Sequence, residues 1–202
     1  MELNKNIVNI DDEDVSPASR TTNPHGIFFD FLFKQPTKPM TGNTGLSISD
    51  DCLTGNNHGA GWRTLIGDKT LNLYDNPGKY YFDIKINSIT SNWGNSLGVA
   101  DKLYTDSTVV IVGYASSVKS WSWFTYPAGK DGFLHDGKNT GEKPIHYKSG
   151  DVLKIVIETG DKSISFYKND EFIAKPFIDI ETDEIVPAFT LCGADDSITI
   201  LK

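Results

Sequence analysis

Several short polar stretches of this 202-residue chain hold residue types that could do chemistry. "GFLHDGKNTGE" (Gly132 to Glu142) sets His135 beside Asp136 and adds Gly137, Lys138 and Gly141, the ingredients of a proton relay or an anion cradle. Adjacent residues on a strand point their side chains apart, which forbids a relay, and Asp136-Gly137 fits a tight turn with Gly137 at positive φ. A structural role follows, with a fold defect expected for Gly137→Val. Cys192 could serve as a nucleophile only with a positioned base. None of His25, His58, His135 and His146 stands at a fixed spacing from it, and no G-x-S-x-G elbow occurs. Cys192 therefore reads as a small residue of the core or its rim.

Carboxylates and metal ligands fare no better. Glycan hydrolysis on a β-sandwich needs paired carboxylates, usually Glu-x-Asp-x-x-Glu along one strand face. "IETDEIV" groups Glu181, Asp183 and Glu184 at the wrong spacing and reads as an acidic turn. The four histidines lack HxH or HExxH spacing, and no calcium-loop pattern appears. "GNNHGAG" (Gly55 to Gly61) lacks the Gly-Lys-Ser/Thr ending of a phosphate-binding loop and reads as a flexible surface connection. The expectation is a chain that is not an enzyme, with no cofactor and no metal.

The elements that must position these residues are strands. Alternation in "KYYFDIKIN" sends Tyr81, Asp83 and Lys85 one way and Tyr80, Phe82, Ile84 and Ile86 the other, the period of a half-buried strand. "IFFDFLF", "LSIS", "DCLT", "SLGVAD", "TVVIVGYA", "SWSWFTY", "DVLKIVIE", "SISFYKN", "EFIAKPF", "IVPAFTL" and "SITILK" are further short apolar runs, with Gly, Pro, Asn and Asp between them. "ETGDKS" and "KNDE" read as hairpin turns whose Gly-Asp and Asn-Asp pairs take positive φ. No run has a sustained 3.6-residue stripe. The fold class predicted is all-β: a twisted two-sheet antiparallel β-sandwich over residues 23–202 with few helices. Residues 1–22, with "DDEDVSPASRTTNP", read as an acidic tail.

Composition narrows the partners. A net charge of −8 repels phosphate backbones, and the 19 Lys and Arg are scattered, so no nucleic acid is expected. No window approaches the roughly 18 apolar residues of a membrane helix, and the N-terminus has no signal core. A monomer in the cytoplasm or nucleus, with Cys52 and Cys192 reduced, is the expectation.

Five motifs, in order, carry a family resemblance. "GKYYFDIKI" (Gly78 to Ile86), "LGVAD" (Leu97 to Asp101), "SWSW" with "FLHDGKN" (Ser120 to Asn139), "SGDVLKIVIETGDKSISFYKNDEFI" (Ser149 to Ile173) and "IVPAFTL" with "SITI" resemble the conserved segments of a SPRY domain. "FLHDGKN" is especially similar to SPRY domains of SOCS-box substrate receptors, although the sequence carries no SOCS box. Asp170 stands where the family usually has Gly, and Glu158 where it often has Asp.

The resemblance, which covers about residues 27 to 202, implies a sandwich that binds a peptide or loop of a partner protein through its edge loops, as an adaptor or substrate-recognition unit. Carried across, the family's peptide pocket falls at Asp101, Lys102, Thr108 and Cys192-Gly193-Ala194. Thr108 replaces a tyrosine, with Tyr104 close by, and Gly193 replaces a tryptophan, so the pocket's location transfers and its ligand does not. From the residues themselves, Trp121 and Trp123 share one strand face and belong to the interior. Trp93, in the polar loop "TSNWGNS", is a candidate anchor or a core-edge residue, and Tyr104 and "FTYPAGKDG" rank after it. The alternative function is a carbohydrate-binding, lectin-like sandwich.

Overall fold

The computed structural model describes residues 25–35, 45–90, 94–104, 111–114, 118–126 and 131–202. The acidic tail, Trp93 and Thr108 lie outside them. Alternating apolar residues and turn-forming punctuation give fifteen strands and no helix among the described residues. They are β1 (Ile27–Phe28), β2 (Leu46–Ile48), β3 (Thr54–Asn57), β4 (Arg63–Ile66), β5 (Leu71–Asn72), β6 (Lys79–Ser88), β7 (Asn95–Asp101) and β8 (Ser120–Thr125). There follow β9 (Gly132–His135), β10 (Lys138–Asn139), β11 (Val152–Glu158), β12 (Ser163–Lys168), β13 (Glu171–Phe177), β14 (Glu184–Leu191) and β15 (Asp196–Leu201).

Two sheets result. The first runs β13-β12-β11-β6-β15-β3-β2, with β1 added parallel to β6; the second runs β10-β9-β8-β7-β14-β4, with β5 on β14. All the other pairings are antiparallel, which makes the molecule the expected two-sheet sandwich. Phe82, Ile84 and Ile86 of β6 are buried while Lys85 and Asn87 are exposed, as the alternation requires. Against them pack Leu97, Val99, Trp121, Trp123, Phe133 and Phe189 from the second sheet. Trp123 is fully buried and meets Tyr147 edge-on, with ring centroids 5.3 Å apart.

Several local expectations are corrected. "IFFDFLF" forms only the two-residue β1 and an isolated bridge from Phe33 to Gly67, with Phe31 and Phe33 buried in the core. "DCLT" is mostly a turn, and Gly55 to Asn57, read as flexible loop, form β3 with Asn57 fully buried. Gly55 is placed there by close approach: a Cβ would overlap the Leu65 side chain. In "ETGDKS" it is Lys162 that takes positive φ, whereas Asn169 and Asp170 do so as expected (φ 51° and 65°). Asp136 and Gly137 also take positive φ (49° and 74°), the signature of a type I′ hairpin turn. That turn swings the Asp136 carboxylate back to 3.5 Å from His135 Nε2, so the side chains converge rather than diverge. A Cβ on Gly137 would meet only the Tyr114 carbonyl oxygen, at 3.9 Å, so Gly137→Val meets backbone strain first.

The outer face of the second sheet differs most from expectation. "TVVIVGYA" reads as a strand, yet its described part, 111–114, is a strap crossing that face. Val112 N–H donates to Thr190 Oγ1 (3.0 Å), and Ser96 and Ser122 hydroxyls both donate to Val112 C=O (2.6 and 3.0 Å). Gly113 N–H donates to Ser120 Oγ (2.7 Å), and Gly137 N–H to Gly113 C=O (2.7 Å). Beneath the strap lies a second, smaller apolar cluster of Ile66, Ala100, Tyr104, Val112, Val186 and Ala188.

Candidate functional site

Beside the strap the outer face opens into a groove of about 750 Å³. Phe124 forms its floor: β8 turns this side chain outward, and it stays only 6% exposed because Trp62, Tyr114 and Tyr126 surround it. The ring centroids of Trp62 and Tyr126 lie 6.3 and 6.2 Å from that of Phe124, at shallow angles of 32° and 21°. Tyr114, from the strap, meets Phe124 edge-on at 5.8 Å and is nearly half exposed. Asp131 and Lys143 bring the two charges of the lining.

At the groove's polar side, Thr125, Asp131 and His146 superficially form a hydrolase triad. Thr125 Oγ1 lies 2.6 Å from His146 Nδ1 and 2.8 Å from Asp131 Oδ1, and the same Nδ1 lies 3.1 Å from that Oδ1. A carboxylate only accepts, so the threonine hydroxyl donates to Asp131 and the imidazole Nδ1–H donates to the threonine oxygen. The histidine thus holds no lone pair toward the hydroxyl proton and cannot act as its base. Tyr126 N–H also donates to Asp131 Oδ1 (2.7 Å), so this cluster fixes the end of β8.

The other chemical candidates are held by structural contacts. His135 Nδ1 donates to Ser120 C=O (3.0 Å), and its ring stacks on Trp121 with centroids 4.8 Å apart and an angle of 6°. Cys192 is buried just past β14, where its N–H donates to Asn95 Oδ1 (2.9 Å). The Asp196 carboxylate is fully buried and accepts from the N–H groups of Thr90 and Gly193 (both 2.6 Å). Among the described residues no group of three His, Cys, Asp or Glu is placed to hold a metal.

The partner-binding residues expected from sequence divide between two ends of the sheet. β14 pairs Ile185 with Asp101 and Thr190 with Ser96, so Asp101 and Lys102 sit at the start of β14 and Cys192-Gly193-Ala194 past its end. Seven residues of strand, roughly 20 Å, separate them. Asp101 and Lys102 face Glu184 and Thr182 across a small acidic hollow, where Lys102 Nζ pairs with Glu184. Tyr104 is 3% exposed, inside the apolar cluster under the strap, and burial pushes its phenol up to about 12 despite a hydrogen bond from Thr64.

Cys192, Gly193 and Ala194 adjoin the groove. Gly61 N–H donates to Cys192 C=O (2.9 Å), which places this turn beside Trp62, and Ala194 is exposed. Sequence reasoning ranked "FTYPAGKDG" second, and that segment supplies Phe124, Tyr126 and Asp131. It missed Tyr114. Small residues at alternate positions of "SLGVA", "SWSW" and "PAFT" were the signal that this face is covered.

Comparison with known proteins agrees with this architecture. The SPRY domain family matches residues 79–201. Among solved structures, the SPRY domain of human HERC1 is 17% identical with a TM-score of 0.62, over 78% of this chain and 92% of that one. The TRIM65 PSpry domain is 13% identical with a TM-score of 0.63, over 87% and 94%. A human SPRY domain is 17% identical with a TM-score of 0.57, over 77% and 94%. No curated protein matches the chain. At these identities the solved structures attest the fold, and the family match covers more than half of the chain: this protein belongs to the SPRY domain family.

Proposed function

We propose that this chain is a non-catalytic protein-interaction module that holds an extended segment of a partner in the groove beside the strap. SPRY domains are protein-interaction modules. The observation that carries the reading is the lining: four aromatic rings from three separate stretches, Trp62, Tyr114, and Phe124 with Tyr126, converge on one open concavity. Clustered aromatic anchors in a concave site supply most of the affinity of a peptide interface. The bound surface continues past Trp62 onto the exposed Ala194, whose neighbours Cys192 and Gly193 are buried, and Asp101 and Lys102, at the other end of the sheet, lie outside it.

Affinity purification with quantitative mass spectrometry tests the reading. Partners recovered by the wild type are expected to be lost with Tyr114→Ala and kept with Lys102→Ala. Loss with Lys102→Ala and retention with Tyr114→Ala would return the site to the other end of the sheet. The lectin alternative gains nothing specific from the groove, and binding to a glycan array abolished by Tyr114→Ala would revive it.

A further inference from the structure

We infer that the segment held in this groove is read through a basic side chain, an arginine above all, laid over the aromatic floor with its charge on Asp131. The inference rests on the groove reading above. Asp131 uses one oxygen for its own loop: Oδ1 accepts from the Thr125 hydroxyl and Tyr126 N–H, with His146 Nδ1 3.1 Å away. No hydrogen bond among the described residues engages Oδ2, and the side chain, 14% exposed, lines the groove. A carboxylate fixed through one oxygen at the edge of an aromatic groove is a preorganised acceptor for an N–H cation.

The rings beside it complete the requirement. A guanidinium stacks on aromatic faces and is weakly hydrated, so it enters such a site more readily than an ammonium does. Trp62 and Tyr126 each lie at a shallow angle to Phe124, 32° and 21°, and with it line the groove beside Asp131. Lys143, the groove's own cation, is exposed at the rim, where solvent screens it. The chain's net charge of −8 adds a long-range pull on a basic segment and a push on an acidic one.

A random twelve-residue peptide library displayed on phage, panned on the full chain, tests this directly. Selected peptides are expected to contain arginine and to lose binding with Tyr114→Ala. With Asp131→Asn, which keeps the Oδ1 acceptor and removes the charge, affinity should fall roughly tenfold. Arginine-to-norleucine replacement in the peptide should cost the wild type a similar factor and Asp131→Asn little more, the signature of one shared contact. Peptides that depend on Tyr114 but carry no basic residue, or ignore Asp131→Asn, overturn the arginine inference and leave the groove standing. Failure to select any peptide sensitive to Tyr114→Ala overturns both. Unfolding midpoints of the variants, measured alongside, confirm that each is folded.

Discussion

The two faces of the second sheet are made by the same strands and solve different problems. Inward, β7, β8, β9 and β14 present Leu97, Val99, Trp121, Trp123, Phe133 and Phe189, large apolar groups that fill the space between the sheets. Outward, most alternate positions, Ser96, Gly98, Ala100, Ser120, Ser122, Ala188 and Thr190, are buried and small, with Phe124, Leu134 and Val186 the larger exceptions. Small side chains let the strap lie close, and their hydroxyls satisfy the backbone groups of Val112 and Gly113, which would otherwise be buried without partners. The lesson is that β8 is buried on both faces, and its alternation is one of size, not polarity.

The comparison can be broken most forcefully from inside. Trp123→Ala removes a fully buried ring from the main core, and a loss of about 3–5 kcal/mol in denaturant unfolding is expected. Next comes the phenol under the strap. Burial is the largest cause of Tyr104's raised value, from 10.0 to about 12. The folded value lies above the unfolded one, so the stability contributed by the neutral phenol is whole below pH 10 and is lost as pH climbs toward 12. At about 1.4 kcal/mol per pH unit, that loss approaches 3 kcal/mol. Tyr147 titrates in the same direction inside the main core, so Tyr104→Phe should flatten the alkaline limb of a stability–pH curve without abolishing it.

Smaller effects separate the strap from the sheet. Gly113 has φ 86°, and a Cβ there would overlap the Ser122 hydroxyl and approach Leu134 Cβ to 2.8 Å. Gly113→Ala should cost about 1–3 kcal/mol and expose the amides of 111–114 to hydrogen exchange while the inner strands stay protected. Equal deprotection of inner strands and strap would show that the two faces fold as one unit. Tyr114→Ala sits at the bottom of the scale, with a stability change within about 0.5 kcal/mol. Its effect should appear in partner binding alone.

The inner face was legible because its pattern obeys a local rule. Period-2 alternation in "KYYFDIKIN" and "SWSW" depends only on which way a strand's side chains point, so β6 and the two core tryptophans follow from the sequence. The outer face depends on what covers it. "TVVIVGYA" has the apolar content of a strand, yet 111–114 spends its hydrogen bonds on serine and threonine hydroxyls instead of a neighbouring strand. Tyr104 looked like a loop residue for the same reason: the cluster that buries it, Ile66, Val186 and Ala188, comes from distant strands. The groove is similarly scattered, its rings drawn from Trp62, Tyr114, Phe124 and Tyr126. Only the strand pairing of β4, β14, β7 and β8 puts them side by side.

The place of the last two strands has a consequence for how the chain is made. β14 lies between β7 and β4, and β15 between β6 and β3, so each late strand supplies the middle of a sheet whose flanking strands come far earlier in the sequence. β4 gains its strand partner only with Glu184–Leu191, and β3, already paired with β2, gains its second only with Asp196–Leu201. Both sheets therefore close only once their last strand is available, and the early strands spend that interval with open edges.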